Sequence, residues 1–487
     1  MKKSVFFLNL LLLLLTTSCE KAINLDSVNS DTSQNNSNST IMRTPASSGS
    51  NSTDSPFTSF KPSVDYEMLF VDRFMNNNID AGNNWWNYRT ETIYYPYTTF
   101  TGYSSASNVS IVNGLLNIKF NKVTDKYYGG GVMSDKEFGY GFYELRVKVY
   151  TNQLGFHQSF WSKSPQVEVD GFELESGTPS DHNIFKNCKH RWLSSHIKYI
   201  TNSTEESNFV TVGNYVSSGG WQPTDGVWKT LSYEWLPDRI NYYVDGVKKN
   251  TFYNTDSDNN DLNVYAPSNV YITGLPLRFQ LSDDMPSTPE ANASMQVENF
   301  AYSAKKLTGV NLLGNSDFEL QYAAYQSTAT APNLASWSDY SVQYNSVMYN
   351  NGDITNTNVI SNSGVSNSYA LKLENNAVAR QYLYYIPNGK YTLSAWIKCS
   401  DPNFDLGDRV QTLVRGGDYQ YLPAKYNNST DGALSKRTIV SPHSSWVNIK
   451  IEDVEVVDNT ARIIFYTQFY SGRTGYMLVD NVTFTAQ

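Results

Sequence analysis

The stretch VEVDGFELES, residues 167–176, gathers four carboxylates, Glu168, Asp170, Glu173 and Glu175, into eight positions. Side chains on a regular strand alternate between faces, so Glu168 and Asp170 share one face while Val167 and Val169 share the other. Glu173 stands five positions after Glu168 and on an unbroken strand would point away. One bulged residue, at Gly171 or Phe172, restores Glu173 to the face of Asp170 and turns Phe172 and Leu174 to the apolar side. Gly171 suits such a bulge.

With the bulge, three carboxylates line one face in the order Glu, Asp, Glu. Carboxylates so crowded resist ionising together, which leaves one as an acid and another as a charged nucleophile. That division of labour cleaves a glycosidic bond with retention when the two carboxyl groups stand about 5–5.5 Å apart. A flat strand sets the outer Cα atoms roughly 13 Å apart, so the face must be concave and both glutamates must lean inward. Without those conditions the run is a solvated acidic edge strand.

The elements around this run read as β-structure throughout. LFVDRF, NGLLNIKF, GFYELRVKVY, KTLSYEWL, RINYYVDG and MQVENFAYS alternate apolar and polar residues between Gly, Asn, Asp and Pro, and no helix-period stretch interrupts them. Their span of roughly 240 residues suits one two-sheet sandwich. INYYVDGVKKNTF reads as a hairpin turning at Asp245–Gly246. A second set of strands follows Lys306, with NLLGNSDFEL, YALKLEN, KYTLSAWIKCS, ARIIFYTQFY and GYMLVDNVTF, and predicts a smaller β-sandwich.

Composition narrows the function. The formal net charge is -9 and there is no long basic run, which excludes nucleic acid as the partner. The 36 Tyr and 10 Trp beside many Asn, Ser and Thr suit β-structure and surfaces that stack on sugar rings. At the N-terminus Lys2 and Lys3 precede an apolar run from Val5 to Leu15, a length and order that predict a signal peptide over residues 1–18. In LLTTSCE, Cys19 stands where bacterial lipoproteins carry the lipidated cysteine that becomes the mature N-terminus. The expected location is the cell surface or outer membrane through a lipid anchor at Cys19, or the extracellular space if that cysteine is not modified. Residues 19–60 are nearly all small and polar and predict a flexible tether. Cys188 and Cys399 lie more than two hundred positions apart, so they are read as two buried or semi-buried thiols rather than a disulfide.

EVDGFE resembles the active-site strand of glycoside hydrolase family 16, whose bulged form reads Glu, apolar, Asp, two mostly apolar residues, Glu. YYGGGVMSDKEFGYGFYELRVKVY, then GFHQSFW, is similar to that family's strand, turn, strand and aromatic-Trp pair, here Phe160 and Trp161. WKTLSYEWLPDRINYYVDG and SMQVENFAYS resemble later strands of the same family, with Glu298 in QVENF where the family usually has Asp and Gly171 where it prefers a branched aliphatic. The resemblance covers about residues 65–305. It implies a concanavalin-like β-jelly-roll sandwich, a catalytic domain over residues 61–306, and hydrolysis of polysaccharide by an endo-acting, retaining, two-glutamate mechanism without a cofactor. By position it makes Glu168 the nucleophile, Glu173 the general acid and base, and Asp170 the residue that orients and tunes the nucleophile. It also offers Phe160, Trp161 and His196 as substrate-binding residues, with Trp161 alternatively in the core and His196 alternatively a satisfied loop histidine.

NLLGNSDFELQ with ASWSDYS, and the closing GYMLVDNVTF, resemble carbohydrate-binding jelly rolls attached to xylanases and laminarinases, over residues 307–487. That likeness implies a structural calcium held by Asp317, Glu319 and Asp480, which are otherwise turn residues. Trp337 and Trp396 are candidate sugar platforms, although the alternation in TLSAWIK speaks for core at Trp396. The expected whole is a monomeric surface lipoprotein acting on a β-glucan or β-galactan. A glycan-binding lipoprotein without catalysis and a transglycosylase are the alternatives.

Overall fold

A computed structural model of the chain describes residues 62–75, 79, 85–93, 101–124, 126–150, 156–164, 167–175, 191–199, 209–212, 226–253, 265–276, 294–318, 338–339, 357–360, 364–365, 369–374, 378–399, 445–457, 459–466 and 476–487. Apart from one 3-10 turn at Ala106–Asn108, the regular elements among them are all strands. The fold is the expected all-β jelly-roll sandwich with further β-sheets behind it.

In the first sandwich an eight-stranded sheet runs in the order Val247–Tyr253, Arg239–Val244, Trp228–Trp235, Gly141–Lys148, Ser294–Ala304, Leu115–Lys119, Val109–Val112, with Glu67–Asp72 added beside Ser294–Ala304. The ten-stranded sheet facing it carries the acidic strand. Its order is Phe209–Val212, Arg191–Tyr199, Val167–Glu175, Phe156–Lys163, Ser268–Pro276, Lys126–Phe138, Thr101–Ser104, Glu91–Ile93, with Trp86–Tyr88 and Asn121–Val123 added beside Lys126–Phe138. One core fills the space between them, drawing Tyr143, Leu145 and Val147 from the first sheet and Phe156, Val167, Val169 and Phe172 from the second. The hairpin at Asp245–Gly246 is as read: both residues have positive φ, 48° and 76°, and Val244 pairs directly with Val247, as a two-residue type I′ turn requires.

A second core runs from Leu312 to Ala486. It underlies a five-stranded sheet (Thr357–Ile360, Ala370–Glu374, Tyr476–Ala486, Gly389–Cys399, Val447–Val456) and a three-stranded one (Ser338–Asp339, Val378–Tyr384, Thr460–Tyr466). Along Gly389–Cys399, Tyr391, Leu393, Ala395, Ile397 and Cys399 are buried while the residues between them are half-buried. Trp396 therefore shares its face with Ser394 and Lys398, a correction to the core reading of TLSAWIK.

The sandwiches are seated against each other by aromatic rings. Tyr385, in the left-handed region at φ 55°, stacks on Phe138 with centroids 4.6 Å apart and planes at 9°, and meets Phe70 edge-on at 5.4 Å. Phe70 and Phe138 belong to the first core, and Leu307 and Val310 of the connecting segment pack on the same core. Lys136 lies over the Tyr384 ring at 5.3 Å. Aromatic contacts of this kind add about 0.5–1.5 kcal/mol each beyond the area they bury.

Candidate active site

The bulge is present and it sits at Gly171. Against the strand Phe156–Lys163, Phe160 pairs with Phe172 and Trp161 with Asp170, so one extra residue of the acidic strand is inserted at Gly171. On the other side Asp170 pairs with Ser195 and Glu173 with Leu193, so Gly171 and Phe172 together span the place of one partner residue. Val167, Val169, Phe172 and Leu174 are all fully buried in the core. Glu168, Asp170 and Glu173 are thereby turned to the opposite, outer face of the sheet.

Gly171 also explains its own departure from the family pattern. A Cβ at this position would press onto Tyr233 Cδ1 and lie 2.7 Å from Cε1 of the same ring. Tyr233, from the strand Trp228–Trp235 of the facing sheet, is fully buried and stacked on Tyr143 at 4.4 Å. The tyrosine ring fills the volume that a branched aliphatic side chain at 171 would occupy, so the position has room only for hydrogen.

The neighbouring strand Phe156–Lys163 supplies the floor of the site. Successive side chains there point to opposite faces, so Phe160 and Trp161 cannot both meet substrate. Phe160 is 0 % exposed in the core, with its ring 5.3 Å from Tyr233 and 5.9 Å from Phe300. This corrects the expectation that Phe160 binds substrate. Trp161 is on the site face but only 5 % exposed. Its ring stacks on Tyr271 at 4.2 Å, and the Arg89 guanidinium lies 5.1 Å from its centroid and 5.5 Å from that of Tyr271. Trp161 Nε1 donates to Thr273 Oγ1 at 3.4 Å, and Thr273 is bonded to Ser159 at 2.6 Å. The indole thus forms part of a held layer under Arg89 rather than an open sugar platform.

The same strand gives each outer glutamate a basic neighbour. Lys163, directly opposite Glu168 in register, brings Nζ to 2.9 Å from Glu168 Oε2, with the side chains 21 % and 7 % exposed. His157 Nε2 lies 3.3 Å from Glu173 Oε1. Sequence reasoning missed both partners, yet the signal was available. Positions 157, 159, 161 and 163 of FHQSFWSK fall on one face, and that face is the one Trp161 shares with the carboxylates.

Other expected site residues are placed less fully or lie outside the described residues. His196 stands in the strand Arg191–Tyr199, opposite Val169 and Val212 in register. Cys19, Trp337 and Glu319 lie outside the described residues. Asp480 is fully buried; its carboxylate accepts the backbone N–H of Val365 at 2.8 Å and of Asn481 at 2.7 Å. Asp317 is exposed. Among the described residues no three His, Cys, Asp or Glu side chains are grouped to hold a metal.

Residues 97–280, the part of the chain that holds the acidic strand and its bulge, match the sequence model of glycosyl hydrolases family 16. Among solved structures the chain is similar to a family 16 enzyme of Bacteroides ovatus bound to a mixed-linkage glucan product, at 17 % identity and TM-score 0.37, covering 48 % of this chain and 99 % of that one. It is likewise similar to the catalytic domain of a Thermotoga petrophila laminarinase, at 17 % identity and TM-score 0.37, covering 50 % of this chain and 99 % of that one. Porphyranase B from Zobellia galactanivorans is a third, at 16 % identity and TM-score 0.37, with 50 % and 97 % covered. No curated protein sequence matches the chain.

Proposed function

We propose that this protein is an endo-acting β-glycosidase that cleaves polysaccharide with retention, through Glu168 as nucleophile and Glu173 as general acid and base. The observation that carries the reading is the bulge at Gly171, which turns both glutamates to one face of the sheet with Asp170 between them. In the first step Glu173 protonates the glycosidic oxygen as the bond to the anomeric carbon breaks, and a Glu168 oxygen forms a bond to that carbon. In the second, water attacks the anomeric carbon, Glu173 takes its proton, and the bonding pair returns to the Glu168 carboxylate. Asp170 orients and tunes the nucleophile from between the two glutamates.

The test is Glu168→Gln and Glu173→Gln assayed on laminarin, lichenan, agarose, porphyran, carrageenan and mucin glycans by release of reducing ends. Each variant should lose at least roughly 100-fold of the wild-type rate, and proton NMR of the first product should show the retained anomer. Unchanged cleavage by either variant sinks the assignment. Binding without cleavage by the wild type would instead make it a glycan-binding protein. The leader and Cys19 support tethering to the cell surface; a Cys19→Ser variant should then leave the membrane fraction.

A further inference from the structure

We propose that Lys163 is a positioning residue that sets the balance between the two halves of the reaction, favouring release of the sugar from Glu168 over its capture. The inference rests on the functional reading above, and on geometry that reading does not use. The Lys163 ammonium is 2.9 Å from the Glu168 carboxylate in a largely buried pair. The register that sets Lys163 directly against Glu168 on adjacent strands makes the contact a fixed part of the sheet rather than a surface encounter.

Charge bookkeeping over the cycle gives the direction. In the resting site an anionic carboxylate faces an ammonium in a place poor in water, where such a pair is strong. When Glu168 bonds to the anomeric carbon it becomes a neutral ester, and the ammonium loses its counter-charge. The ion pair therefore stabilises the free carboxylate and not the glycosyl-enzyme. It slows attack by Glu168 and speeds the second step, in which the C–O bond of the ester breaks and its electron pair returns to Glu168. Removing the ammonium reverses both effects: the ester becomes easier to form and slower to hydrolyse.

The kinetic signature differs from that of a merely damaged site. With the second step slowed, covalent enzyme accumulates, so kcat and KM fall together while kcat/KM, which reports the first step, holds or rises. The full chain is assayed on whichever polysaccharide of the panel the wild type cleaves fastest, with acid-quenched turnover mixtures read by intact-protein mass spectrometry. Lys163→Met should lower kcat and KM together by roughly tenfold or more and show a sugar adduct that maps to Glu168. Lys163→Arg, which keeps the charge, should stay within about threefold of wild type. If Lys163→Met does not fold, as read by circular dichroism, Lys163→Gln serves the same measurement. A fall in kcat/KM with KM unchanged and no adduct overturns the assignment of Lys163 while leaving the glycosidase reading intact. Full activity of Glu168→Gln, or a wild type that cleaves nothing, overturns that reading and this inference with it.

Discussion

Substituting Gly171 by alanine probes the whole arrangement with a single carbon. The new Cβ would lie 2.7 Å from Tyr233 Cε1 and press harder still on Cδ1, whereas carbon atoms rest about 3.5–4.0 Å apart. The ring must retreat by about 1 Å, and it has nowhere to go: Tyr143 is stacked on it at 4.4 Å and Phe160 lies 5.3 Å away. Overpacking of a filled core costs about 1–3 kcal/mol. Against this, alanine lowers the entropy of the unfolded chain by about 0.4–1 kcal/mol, since Gly171 is not among the residues of positive φ. Taken at the midpoints of the two ranges, the net is a loss of about 1.3 kcal/mol, which in a domain of this size moves Tm down by roughly 3–5 °C. Urea denaturation should show a lower midpoint at unchanged slope. Pairing Gly171→Ala with Tyr233→Leu should cost less than the two single losses added together, because the ring that is struck is gone. A Gly171→Ala protein as stable as wild type would refute the account of why glycine occupies the bulge.

Three further outcomes follow from the same structure. Burial raises the Glu137 carboxyl to about 7; between its ordinary value near 4.5 and about 7 the folded state keeps a proton that the unfolded chain has lost, so stability contributed by this group is present below pH 4.5 and is lost as pH rises through 7. Glu137→Gln should flatten that slope in denaturation curves taken from pH 4.5 to 8, and a slope unchanged by the substitution would exclude Glu137 as its source. Tyr385→Ala removes the ring stacked on Phe138 and should cost about 2 kcal/mol, with calorimetry of the full chain separating into two transitions where the wild type shows one. Arg89→Ala uncovers Trp161, so acrylamide should quench tryptophan fluorescence more in the variant than in the wild type; equal quenching would place the cover elsewhere.

How much of this was legible in the sequence depended on how local the cause was. The strands could be read because burial alternates residue by residue, as from Tyr391 to Cys399. The bulge could be read because three carboxylates and two buried residues, Phe172 and Leu174, needed one shift of phase to be satisfied together. Phe160 was misassigned by keeping an aromatic pair intact when alternation separates it. Trp396 was misread because the alternation in TLSAWIK was taken to bury it, whereas Leu393, Ala395 and Ile397 hold the buried parity and leave Trp396 with Ser394 and Lys398. Tyr233 against Gly171 and Tyr385 against Phe138 were beyond reach of pattern, since each joins segments far apart in the chain and the second depends on a backbone conformation that the tyrosine's own preferences disfavour.

The seat of Tyr385 bears on how such a chain could be rearranged by recombination. A domain joined by a bare linker is a cassette, exchangeable without touching its neighbour. Here Phe70 and Phe138 complete their packing with a ring from beyond the junction, so a graft that replaced everything after Lys306 would leave an aromatic patch wet and prone to association. A successful transplant would have to carry the matching tyrosine, in its left-handed loop, as a docking pin.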